Sequence, residues 1–275
     1  MTMSQIALSA GRHATSSAPV PQPHPQGAET LYDLYNRHFV IVPADTPELK
    51  RKVFTLRYQV LAEENSYLDP ADYPDQMEFD EYDERSEHYL LMHRASNEAA
   101  GTVRLILPDV STPGDELQFV HHCEMPDLAT HVPFVRAGEV SRFAVTKAFR
   151  RRLTDGSMLP DVYDPRMGGA PKEDEVRRLV PYITIGLLQG IFHAMVKHRL
   201  SYVTMVTEPT LLRLLQRFGI YFQALGPLVP LYGWRQPCGR ELRDLQSDVA
   251  AERPDVWDIL TDRGRLCRDL LSYAP

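Results

Sequence analysis

Charged residues set inside strand-like apolar runs constrain this chain more than any other feature. Glu139-Val140-Ser141-Arg142-Phe143-Ala144-Val145 and Gly101-Thr102-Val103-Arg104-Leu105 carry the branched and aromatic residues of buried strands, yet hold Glu139, Arg142 and Arg104. An unpartnered charge in such a setting costs several kcal/mol, so the fold must supply partners. A third charged cluster, Glu78-Phe79-Asp80-Glu81-Tyr82-Asp83, lies upstream.

The 275 residues, 43% of them hydrophobic and 24% charged, suffice for one large globular domain with or without appendages. A net charge of -7 argues against a nucleic-acid partner, which needs a basic footprint. Cys123, Cys238 and Cys267 are too far apart for a zinc knuckle or a disulfide framework and suit a reducing compartment. No run approaches 18 apolar residues and no secretory pattern opens the chain, so the expected location is cytoplasmic, without a transmembrane segment but with room for peripheral membrane contact.

Residues 1–28, rich in Ser, Ala, Gln, His and Pro, read as a disordered tail. A strand is expected at 38–44, then a helix capped by Asp45 or Thr46 with Pro47 in its first turn and Leu49, Val53, Leu56 and Val60 on its buried face. Arg57 beside that stripe reads most simply as a surface arginine with a snorkelling stem. A structured acidic loop spans 63–86, and strands are expected at 87–95 and 101–108 around a turn at 96–98. A third long strand covers 136–146, an insertion rich in Gly and Pro covers 153–175, and a helix covers 175–197. A strand at 202–207, a helix at 209–218, and strands within 221–225 and 229–234 complete a β-α-β-β-β-α-β-α-β-β order, which is α/β. Residues 29–240 form the expected domain and 241–275 a helical extension.

This order, with the motifs, resembles the GNAT-type acyltransferase fold, a central mixed, mostly antiparallel sheet flanked by helices. Within it, the chain looks most like the acyltransferases associated with PEP-CTERM and exosortase sorting systems, relatives of long-chain N-acyl amino acid synthases and of acyl-homoserine-lactone autoinducer synthases. The resemblance covers about 38–240. It rests on Leu56-Arg57-Tyr58-Gln59-Val60, Tyr67-Leu68, Tyr73-Pro74, Glu78-x-Asp80-x-x-Asp83, Ser86-x-His88, Gly101-Thr102-Val103-Arg104-Leu105, Glu139-x-Ser141-Arg142 and Phe149-Arg150-Arg151-Arg152. Glu208-Pro209, Gly226-Pro227 and Gly233-Trp234-Arg235-Gln236-Pro237 also match. Autoinducer synthases are shorter and lack a counterpart of the 153–175 insertion, which weakens the lactone reading.

The resemblance implies that Arg57, Glu78, Asp80, Asp83 and Arg104 position the substrate loop, and that Glu139, Ser141 and Arg142 form the catalytic set. Amide formation from an acyl thioester needs a neutral amine, a polarised carbonyl and a leaving thiolate. Glu139 is the candidate base; a structural ion pair with Arg142 or Arg104 is the competing role. Residues three apart in a regular strand face opposite ways, so Glu139 and Arg142 can share a site only across a β-bulge. The acyl chain is expected between splayed strands near Phe143, Val145, Val203 and Met205. Tyr82 and Phe143 either line the site or simply pack in the core.

In acetyl-CoA enzymes of this fold the turn after the third strand is glycine-rich and cradles pyrophosphate. Here it reads Lys147-Ala148-Phe149-Arg150-Arg151-Arg152. The expected donor is therefore the acyl-phosphopantetheine arm of acyl carrier protein, with acyl-CoA less favoured and no permanently bound cofactor. Lys147, Arg150, Arg151 and Arg152 are the candidate docking patch for that acidic partner, unless they are a solvated charge run. His121-His122-Cys123-Glu124 does not have metal-ligand spacing, so no metal is expected. His88 is placed to bond the acidic motif; His193 and His198 read as surface or core-edge residues. The expected function is transfer of a medium- or long-chain acyl group to an amino acid or similar small amine. The rivals are a homoserine-lactone synthase acting on S-adenosylmethionine and a non-catalytic scaffold that binds carrier protein.

Overall fold

The computed structural model describes residues 29–109, 117–122, 128–147, 149, 151 and 179–267. The tail 1–28, the insertion 153–175, Cys123, Arg150 and Arg152 lie outside the described residues.

The chain enters on a helix, α1 (Leu31–His38), which the strand-first expectation missed. Its cause is local: Thr30 and Asp33 close a capping box on the first turn, and Tyr32 and Tyr35 turn inward. β1 (Phe39–Pro43) follows, then α2 (Pro47–Tyr58), capped by Thr46 with Pro47 at its start. α2 runs straight into a π-helical turn, Gln59–Glu64, which carries the buried Val60. β2 (Ser86–His93) and β3 (Glu98–Ile106) form the expected hairpin, although β3 starts three residues early. Gly101 is thus inside the strand, where an added Cβ would meet the Ala144 carbonyl at 2.6 Å.

After the short helix α3 (Leu128–His131), the chain makes β4 (Ala137–Val145), α4 (Tyr182–Lys197) and β5 (Tyr202–Thr207). α4 begins at Tyr182, so Val180 sits in the turn before the helix and not on its face. The chain continues through α5 (Pro209–Gln216), β6 (Gln223–Ala224), β7 (Val229–Pro230) and β8 (Trp234–Glu241). The last strand expected from sequence ended at Trp234; β8 starts there and runs to Glu241 despite Pro237 and Gly239. α6 (Leu242–Glu252) and α7 (Pro254–Thr261) close the described fold.

The sheet order is β1-β2-β3-β4-β5-β8-β6, with β7 paired to β8. Every pairing is antiparallel except β4 with β5. Both faces are covered, and β2 shows how: Tyr89 and Leu91 join the cluster around α4, whereas Leu90 and Met92 join Val53, Leu56 and Val60 of the α2 side. Leu245, Val249, Val256 and Leu260 of α6 and α7 belong to the α4 cluster, so these helices share the main core.

Two irregularities in β4 shape the middle of the sheet. Arg104 pairs with Ser141 but Thr102 with Ala144, so β4 holds one more residue than β3 across that step. The extra residue is absorbed at Arg142, whose φ is +50°. On the other side, the parallel ladder with β5 ends at Val140 and Met205. Past that point β4 and β5 part.

Candidate active site

The bulge and the end of the ladder bring the charged clusters together. Arg57 comes from the last turn of α2, Arg104 from the middle of β3, and Arg142 from the bulge of β4. The three acids come from the loop after Pro74, which is locked in place by its own backbone. Glu78 donates its N–H to the Phe54 carbonyl at 3.0 Å. Asp80 caps the turn Glu81–Arg85, and Asp83 returns the favour by accepting the Asp80 N–H at 2.8 Å.

The six side chains form a closed ring of alternating charge. Arg57 bonds Glu78 through Nε and Asp83 through Nη1 at 2.7 Å. Arg142 bonds the other oxygen of Glu78 at 2.9 Å and Asp80 Oδ2 at 2.7 Å. Arg104 takes Asp80 Oδ1 and, at 2.8 Å, Asp83 Oδ1, which completes the circuit. Each charge thus has two opposite neighbours, the arrangement that lets ions tolerate burial. Arg57, Glu78, Asp83 and Arg104 are buried, whereas the Asp80–Arg142 edge is partly open.

Arg57 is therefore not the surface residue that its place beside the helix stripe suggests. It is fully buried, with its guanidinium carbon 5.4 Å from the centre of the Phe54 ring. Burial opposes its charge, but Glu78 and Asp83 more than restore it, and its pKa lies above the ordinary arginine value. For Asp83, burial works against ionisation, yet the Arg57 hydrogen bond and the charges of Arg57 and Arg104 hold its carboxyl down at about 2. His88 sits under the ring, with Nε2 3.4 Å from the Asp83 carbonyl oxygen; burial depresses its pKa to about 4, against the attraction of Asp83.

Glu139 stands apart. Among the described residues, the ion pairs of Arg104 and Arg142 go to Glu78, Asp80 and Asp83, so the ion pair that was the competing role for Glu139 is not made. Its carboxylate accepts the Phe119 N–H at 3.0 Å in a buried pocket. Burial pushes the carboxyl up to about 7, against the Phe119 N–H and the more distant charges of Arg104 and Arg142. The Phe119 contact was not legible, because it comes from the turn Gln118–His122, far along the chain from β4. Ser141 accepts a hydrogen bond from Arg104 Nε at 2.8 Å and so orients that guanidinium. Tyr82 packs on Arg104 at 5.9 Å and feels the Glu139 charge, which places it at this site.

Val203 and Met205 are buried in the main core, and Phe143 and Val145 pack half-buried against that core. A cavity of about 10 Å³ adjoins Val203, Leu188, Ile191 and Phe192. The Lys147 ammonium bonds the Glu64 carbonyl, and its N–H donates to the Glu64 carboxylate at 2.8 Å. Glu64, on the π-helical turn, is a contributor the sequence did not single out.

Residues 56–159 match the model of the acetyltransferase (GNAT) domain, a stretch that contains Arg57, the acidic loop, Arg104, Glu139 and Arg142. Among solved structures, the chain is similar to TofI in a ternary complex with an inhibitor and MTA, at 16% identity and a TM-score of 0.50 over 77% of this chain and 96% of that one. It is similar to the apo form of TofI at 17% identity and a TM-score of 0.50, over 77% and 95%. It is also similar to FeeM, an N-acyl amino acid synthase from uncultured soil microbes, at 12% identity and a TM-score of 0.50, over 78% and 96%. No curated protein matches the chain. The mixed eight-stranded sheet flanked by helices is a GNAT fold. The domain match makes the chain an acyltransferase.

Proposed function

We propose that this acyltransferase moves a medium- or long-chain acyl group from the phosphopantetheine arm of acyl carrier protein to the amine of an amino acid or similar small amine. The observation that carries the reading is Glu139: a buried carboxyl with a pKa near 7, set where β4 and β5 begin to part. Such a group accepts a proton at neutral pH and releases it again, which a general base must do. The FeeM likeness supports an amino acid as acceptor.

In this reaction the substrate ammonium gives its proton to Glu139, directly or through one water. The free amine attacks the thioester carbonyl, the C–N bond forms, the C–S bond breaks, and the second proton of the nitrogen goes to the departing pantetheine sulfur, which leaves as the thiol while Glu139 returns its own proton to water. The β4 backbone past Val140, no longer laddered to β5, faces the carbonyl oxygen as charge builds there. The ion ring fixes Arg142 and Asp80 at the rim, and their open edge is the contact offered to the polar acceptor. The acyl chain is assigned to the apolar side chains Phe143, Val145, Val203 and Met205, of which Val203 also lines the small cavity. Lys147, Arg150, Arg151 and Arg152 are the basic residues of the sequence assigned to the acidic carrier protein. Residues 29–240 form the catalytic domain, and the reaction is cytoplasmic, within an exosortase-associated sorting system.

Mass spectrometry of lipid extracts from cells expressing the chain tests this reading. New N-acyl amino acids support it. N-acyl homoserine lactones with released methylthioadenosine would make it an autoinducer synthase instead, and an unchanged profile alongside carrier-protein binding would make it a scaffold.

A further inference from the structure

From Phe218 to Trp234 the chain contains no Asp, Glu, Lys, Arg or His, although 24% of its residues are Asp, Glu, Lys or Arg. The first part of that run reaches the core through Phe218, Ile220 and Leu225, which are buried. The other half is a hairpin that displays apolar side chains to the outside. β7 pairs with β8 through Val229 with Arg235 and Pro230 with Trp234, and the Leu231 N–H closes the tip on the Gly233 carbonyl at 2.8 Å. Leu228 is 45% exposed, Tyr232 57% and Trp234 63%; only two other large hydrophobic side chains among the described residues, Phe79 and Val135, are exposed, and both lie elsewhere in the sequence.

The exposure of Tyr232 is held by the backbone. Its φ of +50° is a conformation that bulky residues avoid, and Gly233 after it has φ +96°. The Tyr232 ring lies 6.0 Å from Tyr67, so one edge is supported while the rest faces out. Arg235, the first charge after the run, is already engaged: it lies over Tyr67 at 5.7 Å and bonds Glu208 at 3.1 Å.

We infer that this hairpin, residues 226–234, seats in the interfacial layer of a lipid bilayer. Trp and Tyr present a large apolar body with one polar tip and favour that layer, and Leu228 adds purely apolar area. Pro227 and Pro230 lack an N–H, so the displayed backbone brings fewer donors into a medium poor in water. A protein partner would be met by a rim of polar and charged groups around an apolar centre, and an acidic one by basic residues. The tip itself carries neither, and the Arg235–Glu208 pair beside it is closed on itself. The attraction is therefore one of apolar area, not charge.

The test is flotation of the full chain with phosphatidylcholine vesicles at 0.05 M and 0.5 M NaCl. The protein is expected to float at both, with partitioning changed less than about twofold by salt or by added phosphatidylglycerol. Trp234→Ser and Leu228→Ser, both at exposed positions, should each lower partitioning about tenfold while melting with the parent protein. Trp234 emission should shift to the blue on binding and be quenched by brominated lipid; Trp257 is buried, and its signal should not respond. Failure to float, or flotation that requires anionic lipid and vanishes at 0.5 M NaCl, overturns the inference. So does a dimer that Trp234→Ser dissolves in sedimentation velocity, or carrier-protein binding lost in Trp234→Ser with flotation intact.

Discussion

Asp83 and Glu139 are both buried carboxylates in the field of Arg104, yet one is held at about 2 and the other raised to about 7. Glu139 is the more deeply buried of the two, and it also lacks the partners that Asp83 has. Asp83 receives Arg57 at 2.7 Å, Arg104 at 2.8 Å and the Asp80 N–H, which together outweigh its desolvation. Glu139 receives a backbone N–H, and its arginine neighbours are bound to other acids. By saturating its own arginines, the ion ring leaves Glu139 short of positive charge. One region is built to stay charged, the other to change charge near neutrality.

The largest test of that contrast is Glu139→Gln. It keeps shape and hydrogen bonding but removes the proton acceptor, so turnover should fall about 100- to 10,000-fold, with partial rescue as pH rises and more amine arrives neutral. In the parent protein, kcat/KM should climb with pH through about 7, the range in which the raised carboxyl ionises. Stability should move the other way. A carboxyl whose folded pKa is raised favours the native state while protonated, and that advantage is lost as pH rises from the ordinary value toward 7. Glu139→Gln should therefore match the parent protein near pH 4 and exceed it by about 3 kcal/mol above pH 7 in urea titration. Near-parent turnover with no gain in stability would return Glu139 to a purely structural role.

Arg57→Ala comes next. It takes one of two partners from each of two buried carboxylates and opens a cavity, and should cost about 3–5 kcal/mol, read as a lower urea midpoint. Asp83 gives the ring its own pH signature: its contribution is present above the ordinary carboxylate range and is lost as pH falls through about 2, the opposite direction from Glu139. The smallest effect belongs to the open edge. Arg142→Ala removes a partly exposed partner and should cost about 1 kcal/mol, with its main effect on KM for the amine. A loss as large as that of Arg57→Ala would show that the edge is closed in solution.

Much of this was legible. Charges inside apolar strands demand partners, so Arg104, Glu139 and Arg142 announced themselves, and the need for a bulge followed from strand geometry alone. Arg57 was marked only by the family resemblance, because a helix pattern shows which face is apolar but not that Glu78 and Asp83, more than twenty residues on, turn back to meet it. α1 could have been found from the Thr30 to Asp33 capping box before Leu34 and Tyr35. β8 could not be seen readily, since Pro237 and Gly239 break the strand pattern and only its pairing with β5 shows why they are tolerated. The Glu139 pKa was also hidden, since it depends on which acids the arginines choose.

The four-residue ladder between β4 and β5 carries a kinetic consequence. Strands β1 to β4 can assemble by successive neighbouring pairings, whereas Ala137–Val140 meets Tyr202–Met205 only after the chain has travelled from Thr146 through Ser201 and back. Closing so long a loop costs entropy that short hairpins avoid, so this ladder belongs among the late steps of folding. The point where the β4–β5 ladder ends is then the seam where two separately formed halves of the sheet were last joined, and amide hydrogens beside it should exchange sooner than those of β2 and β3.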